Sequence, residues 1–123
     1  ENTFDVLLCN HVLEHVDDDL QAAREIHRVF KPGGFAVLQV PFFHPVPETT
    51  LEDKSVTDPR QREKMFGQDD HVRKFGKDYA RRLGRSGLTV TEDTFVDEKT
   101  EEERKWFGLV KGEVIFVARK PRR

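Results

Sequence analysis

Two unbroken apolar runs separated by an amphipathic stretch constrain this chain more than any other feature. Phe4-Asp5-Val6-Leu7-Leu8-Cys9 and Phe35-Ala36-Val37-Leu38-Gln39-Val40 show almost no polar alternation, the pattern of parallel strands covered on both faces. Between them Leu20, Ala23, Ile26, His27 and Phe30 recur at helical spacing. Asp18 with Gln21 three residues on resembles a capping box, in an acidic cluster, Asp17-Asp18-Asp19, that suits a helix N-terminus. Arg24, Arg28 and Lys31 lie toward the other end, where Lys31-Pro32-Gly33-Gly34 stops the helix. A strand, helix, strand unit of this kind predicts a right-handed crossover between two parallel strands.

From Phe43 to about Phe75 the chain turns polar and irregular, with Pro45, Pro47 and Pro59. A loop of this length directly after the carboxyl end of a strand reads as a lid-like insertion at about 43–75. Lys77 to Arg85 predicts a short helix burying Tyr79, Ala80 and Leu83 and exposing Arg81, Arg82 and Arg85, closed by Ser86-Gly87. Leu88 to Asp93 reads as a strand, Glu101 to Phe107 as a helical turn, and Val114 to Ala118 as a final buried strand. The basic end, Arg119-Lys120-Pro121-Arg122-Arg123, is expected to be a frayed, solvated tail.

The 123 residues, 36% apolar and 36% charged, amount to about one domain and exclude a large multi-domain enzyme. Lys plus Arg (21) nearly balance Asp plus Glu (23), so a net charge of -2 gives no chain-wide basic field for nucleic acid. The single cysteine, Cys9, excludes an intramolecular disulfide and a cysteine-rich zinc module and fits a reducing, cytoplasmic setting. No apolar run approaches the roughly 20 residues that span a bilayer, and no signal-peptide pattern opens the chain, so no membrane association is expected. The first residue is Glu1 and a strand begins almost at once, which suggests a cut inside a domain.

In order and spacing, FDVLLCNHVLEHVDD, then the helix, then RVFKPGGFAVLQVP closely resemble the second half of a class I S-adenosylmethionine-dependent methyltransferase. RSGLTV is similar to the family's element before its sixth strand, and VIFVARK to its antiparallel seventh. The resemblance implies an α/β fold, the C-terminal half of a Rossmann-like sheet, with the family's strands four, five, seven and six in that spatial order and the last-formed strand antiparallel. The family's GxGxG loop and ribose-binding acidic residue would precede Glu1. Gly33-Gly34 lacks the strand-glycine-helix context of such a loop and reads as a turn.

The resemblance further implies methyl transfer from S-adenosylmethionine to a small-molecule acceptor, oxygen favoured, in the full-length parent, with this fragment alone inactive. It places Cys9, Asn10 and His11 at the methionine end of the cofactor, beyond the carboxyl end of the first strand. Cys9 is expected to be a small buried residue rather than a nucleophile, because methyl transfer needs none. His11 or His71 would act as base, since neutral imidazole accepts a proton near pH 7. In small-RNA 2′-O-methyltransferases and ubiquinone-pathway O-methyltransferases the matching segment reads ExxEH and binds a metal. Here it reads His11-Val12-Leu13-Glu14-His15, and Asp70-His71 resembles a later histidine segment. A divalent metal on His11, Glu14, His15 and His71 and a metal-free site therefore both stand as expectations. Arg73 reads as a loop anchor rather than a substrate contact, and Phe42, Phe43, Trp106 and Phe107 as core packing before pocket walls.

A rival reading is a non-catalytic methyltransferase-like remnant or interaction domain. Nucleic-acid binding by the arginine helix and basic tail is disfavoured because the charge is local. If the family's first strand is missing, Phe4 to Cys9 presents an open apolar edge, and a homodimer through that edge or the adjoining face is expected.

Overall fold

The structure, a computed structural model, describes residues 1–122; Arg123, the end of the expected basic tail, lies outside the described residues. Its elements are β1 (Phe4–Asn10), α1 (Asp19–Val29), β2 (Phe30–Gln39), β3 (Leu51–Glu52), α2 (Pro59–Phe66), β4 (Arg73–Lys74), α3 (Tyr79–Gly84), β5 (Thr89–Asp93), α4 (Phe95–Glu98), α5 (Glu101–Phe107) and β6 (Ile115–Arg119). One sheet has the order β1-β2-β6-β5, and β3 with β4 forms a two-stranded ribbon. β1 and β2 are parallel, while β6 runs antiparallel to both β2 and β5. This is the mixed α/β sheet, and the strand order, that the sequence predicts.

The Asp18 carboxylate caps α1 by accepting from the Gln21 amide at 2.9 Å, and the helix buries Ala23 and Ile26. The expected Lys-Pro-Gly-Gly helix stop works differently. α1 ends at Val29, and β2 begins at Phe30 with no intervening loop. Phe4 pairs with Phe30 but Val6 pairs with Phe35, so residues 31–34 bulge out of the ladder. Gly33 takes φ +87° there, and a Cβ on Gly34 would lie 3.0 Å from the Lys31 carbonyl oxygen and 3.1 Å from that of Phe4. Lys120 fastens the bulge, its amide donating to the Gly34 carbonyl and its carbonyl accepting from the Gly33 amide. The basic end is therefore strand and latch up to Lys120 rather than a frayed tail.

α1 and α3 cover one sheet face, where Phe30, Leu38, Tyr79, Leu83 and Phe116 form the centre of the core. The other face of β1 is open: Phe4, Val6 and Leu8 are 52%, 50% and 71% exposed. The unbroken apolar run thus predicts a strand buried on both faces, whereas among the described residues nothing covers this side.

The segment 43–75 is less irregular than its polarity suggests. Asp58 caps α2, Pro59 occupies its first turn and Gly67 closes it in the left-handed region. α2 lacks an apolar stripe and buries Phe66, so hydrophobic periodicity misses it. The segment is fixed by Arg73, whose side chain is fully buried. Its guanidinium donates to the carbonyls of Leu13, Val16 and Asp17 and to the Glu52 carboxylate at 2.9 Å. Arg82, expected on an exposed face, is instead half-buried, pairing with Asp19 at 2.6 Å and Glu52 at 3.0 Å. Burial raises the Asp19 pKa, but the hydrogen bond from Arg82 and the charges of Arg73 and Arg82 outweigh it and hold the carboxyl below its ordinary value. Trp106 and Phe107, 84% and 65% exposed, are not core residues; α5 stands instead on a complete capping box between Thr100 and Glu103.

Replacing Arg73 with Ala leaves three carbonyls and the Glu52 carboxylate without their shared donor. The expected cost is about 3–5 kcal/mol, read as a lower urea midpoint; an unchanged midpoint would show that water replaces the clamp. Tyr79, the one tyrosine, donates its hydroxyl to the Leu38 carbonyl at 2.9 Å. Burial, reinforced by Cys9, Glu14 and Asp19, pushes the phenol well above its ordinary pKa. The unfolded chain ionises near pH 10 while the folded one keeps its proton, so stability falls as pH rises through about 10. Absorbance at the tyrosinate band is expected to appear only together with unfolding, not before it.

Candidate functional site

The carboxyl ends of β1 and β2 open onto a cavity of about 710 Å³ lined by His11, Gln39, Phe42, His44, Lys77 and Tyr79, among others. His11 follows β1 directly with φ +56°, a left-handed conformation sparsely populated by residues with a side chain. Its amide donates to the Gln39 carbonyl at 2.8 Å, so pairing with β2 sets the turn and directs the chain out of the sheet. Gln39 braces the far wall, donating from its side chain to the Val114 carbonyl and accepting from the Phe116 amide. Phe42 packs against Tyr79 and Phe116 with ring centroids 5.8 and 5.5 Å apart, serving core and cavity together. Cys9, one residue before Asn10 at the strand end, is half-buried. Burial, and secondarily the Glu14 charge, raises its thiol pKa, which disfavours the thiolate a nucleophile needs.

Residues 12–16 form a tight turn rather than a helix, with the His15 amide donating to the Val12 carbonyl. This turn directs Leu13 and Glu14 inward, where they are 2% and 1% exposed. It also brings Glu14 and His15 to His71, with one potential ligand atom from each lying within 4.8 Å of the others. His11 stands outside that group, on the cavity wall. Of the four residues expected to share a metal, the structure therefore assembles three. His71 is 3% exposed and does not line the cavity. Its Nδ1 lies 3.1 Å from the Phe66 carbonyl oxygen, and its ring 6.0 Å from that of Phe43. Asp70 accepts from Gln68 at 2.7 Å, which, with smaller contributions from His15 and His71, holds its carboxyl below the ordinary range.

Sequence reasoning missed His44, Lys77 and Glu92 as cavity residues. The first follows the carboxyl end of β2 and was legible by the rule that ligands sit beyond such ends. The other two reach the cavity only through the packing of α3 and β5.

Residues 1–38 match the family model described as a methyltransferase domain. No curated protein matches the chain. Among solved structures, the complex of a methyltransferase activator and a methyltransferase from Haloferax volcanii is similar at 16% identity, TM-score 0.58, over 98% of this chain and 55% of that one. An S-adenosylmethionine-dependent methyltransferase from Mesorhizobium loti matches at 19% identity, TM-score 0.55, over 96% of this chain and 62% of that one. The cyclase SpnF matches at 16% identity, TM-score 0.56, over 99% of this chain and 52% of that one, so the fold also carries other chemistry. The chain thus spans little more than half the length of the structures it resembles. Strand order and structural likeness agree on the fold, part of a Rossmann-like methyltransferase sheet, and residues 1–38 in addition match the methyltransferase-domain family model.

Proposed function

We propose that the protein to which this chain belongs transfers a methyl group from S-adenosylmethionine to a small-molecule acceptor, an oxygen acceptor favoured. The observation that carries this reading is His11, held in a strained backbone conformation at the carboxyl end of β1 and on the wall of the cavity. Cys9, Asn10 and His11 would lie along the methionine end of the cofactor, and the cavity would seat the acceptor. The sulfonium methyl is already activated, so the protein has two tasks: to align acceptor oxygen and methyl in line, and to take the acceptor's proton. His11, on the cavity wall, would take on the second task. His71, buried away from the cavity, would support the turn instead. Val40, Phe42 and Val46 offer an apolar wall, and His44, Lys77 and Glu92 offer polar partners, a lining suited to a small amphipathic acceptor.

The rival, a methyltransferase-like domain that does no chemistry, predicts no cofactor dependence at all. A GxGxG loop is not among these 123 residues. The chain by itself should therefore bind S-adenosylhomocysteine weakly, with a Kd of roughly millimolar or above; micromolar affinity by calorimetry would contradict this. In the full-length protein, methyl transfer from labelled S-adenosylmethionine should fall about 100-fold in His11→Ala, far more than any accompanying loss of affinity for S-adenosylhomocysteine. An unaltered rate would remove His11 as the base, and the absence of cofactor binding by the full-length protein would favour the rival.

A further inference from the structure

The end of α5 displays apolar side chains that the methyl-transfer reading does not use. Trp106 is 84% exposed, Phe107 65% and Val110 66%. Single exposed apolar residues are ordinary, but three within five positions mark a surface that meets something. α5 itself buries no residue, so core packing does not set its place. Polar contacts hold it instead: the capping box between Thr100 and Glu103, the Arg104 guanidinium donating to the carbonyls of Val96 and Lys99, and the Gly112 amide donating to the Asp97 carboxylate at 2.8 Å. The segment is thus anchored on both sides of its apolar tip.

The backbone keeps the tip together. Gly108, left-handed at φ +69°, ends the helix, and the Leu109 amide donates back to the Arg104 carbonyl at 2.8 Å. This fold-back holds residues 109–110 next to the turn that carries Trp106 and Phe107. Lys105 and Lys111, both exposed, flank the apolar group in sequence. The acidic residues of α5 lie at its other end, Glu101 to Glu103, and the last of them serves the cap. Glu113, two positions past Lys111, lines the cavity.

We propose that this tip docks on the surface of an anionic lipid bilayer, with Trp106, Phe107 and Val110 entering the headgroup region and Lys105 and Lys111 meeting lipid phosphates. An indole ring suits that boundary, being apolar in body and polar at its N–H, and lysine stems lie along apolar surface while their ammonium groups stay in water. Charge complementarity favours lipid of negative charge. A protein partner would need about 800 Å² from each side, and two aromatic side chains with one valine offer roughly half of that. Among the described residues no helix is long and apolar enough to cross a membrane, and docking of this kind needs none. Val110 and Lys111 also line the cavity, so docking brings the cavity mouth to the bilayer. An acceptor dissolved in lipid then enters directly; this consequence alone rests on the methyl-transfer reading.

The test uses the full-length protein with vesicles of phosphatidylcholine, alone or mixed with phosphatidylglycerol. Trp106 is the one tryptophan of this chain, and its emission is isolated as the difference between the protein and its Trp106→Phe variant. That emission should shift to the blue on mixed vesicles, and much less on phosphatidylcholine alone or in high salt. Flotation with mixed vesicles should fall at least about tenfold when Trp106→Ser and Phe107→Ser are combined, and by a similar factor when Lys105→Gln and Lys111→Gln are combined. All four side chains are exposed, so these variants are expected to fold, checked by circular dichroism. His11→Ala should float as the unaltered protein does. Absence of flotation, or flotation undiminished in the serine variant, would overturn the docking tip; so would a Trp106 emission already blue-shifted without vesicles, which would mean that protein covers it. The readout is vesicle binding itself, so its failure leaves the methyl-transfer reading standing, and the converse also holds.

Discussion

The buried guanidinium of Arg73 is the constraint on which the rest of the arrangement depends. It is one cation reaching the carbonyls of the turn after β1 and the carboxylate of Glu52 in β3, with Asp19 at the start of α1 3.6 Å away. Lysine could not take its place, because only a planar fork with five donors can serve so many acceptors in one geometry. Arg82 then shares Asp19 and Glu52 from the side of α3. Two cations and two carboxylates thus link α1, α3 and the β3–β4 ribbon with the turn that carries Glu14 and His15. Such a network is costly to bury and costly to break, so it specifies one arrangement more than it adds net stability.

That network also keeps two groups of polar side chains apart. On one side of the turn, His11 faces a cavity with apolar walls and a few polar partners. On the other, Glu14, His15 and His71 form a polar cluster where the end of the segment 43–75 meets the turn. The two share only a few residues of backbone. A substitution in the turn therefore acts on both, whereas one in the cavity wall, such as His44, acts on the cavity alone.

Most of the sheet was legible because its information is local. The apolar runs gave β1 and β2, the periodicity of Leu20 to Phe30 gave α1, and the antiparallel final strand came with the family resemblance. The misses have physical causes. α2 is stabilised by Asp58, Pro59 and Gly67 rather than by an apolar stripe, so reading caps in place of periodicity would have found it. Arg82 looked like a solvated helix face because the carboxylates that bury it lie 63 and 30 residues away in sequence. The left-handed backbone of His11 and the inward turn of Glu14 follow from pairing with β2 and from Arg73, and neither is written in residues 10–15. The spacing of His11, Glu14 and His15 suggested a shared face; the tight turn separates the first from the other two.

β6 lies between β2 and β5 although it comes last in the chain. During synthesis β1, α1 and β2 can associate as soon as they emerge, because their pairings are near in sequence. β5 cannot join them, since its only partner strand among the described residues begins at Ile115, 22 positions after β5 ends at Asp93. At roughly 5–20 residues per second, the nascent chain spends a second or more with a finished crossover unit, a waiting strand and a half-covered core. The polar residues that dominate α4 and α5 fill that interval, and they keep the waiting portion hydrated until the central strand arrives and completes the sheet.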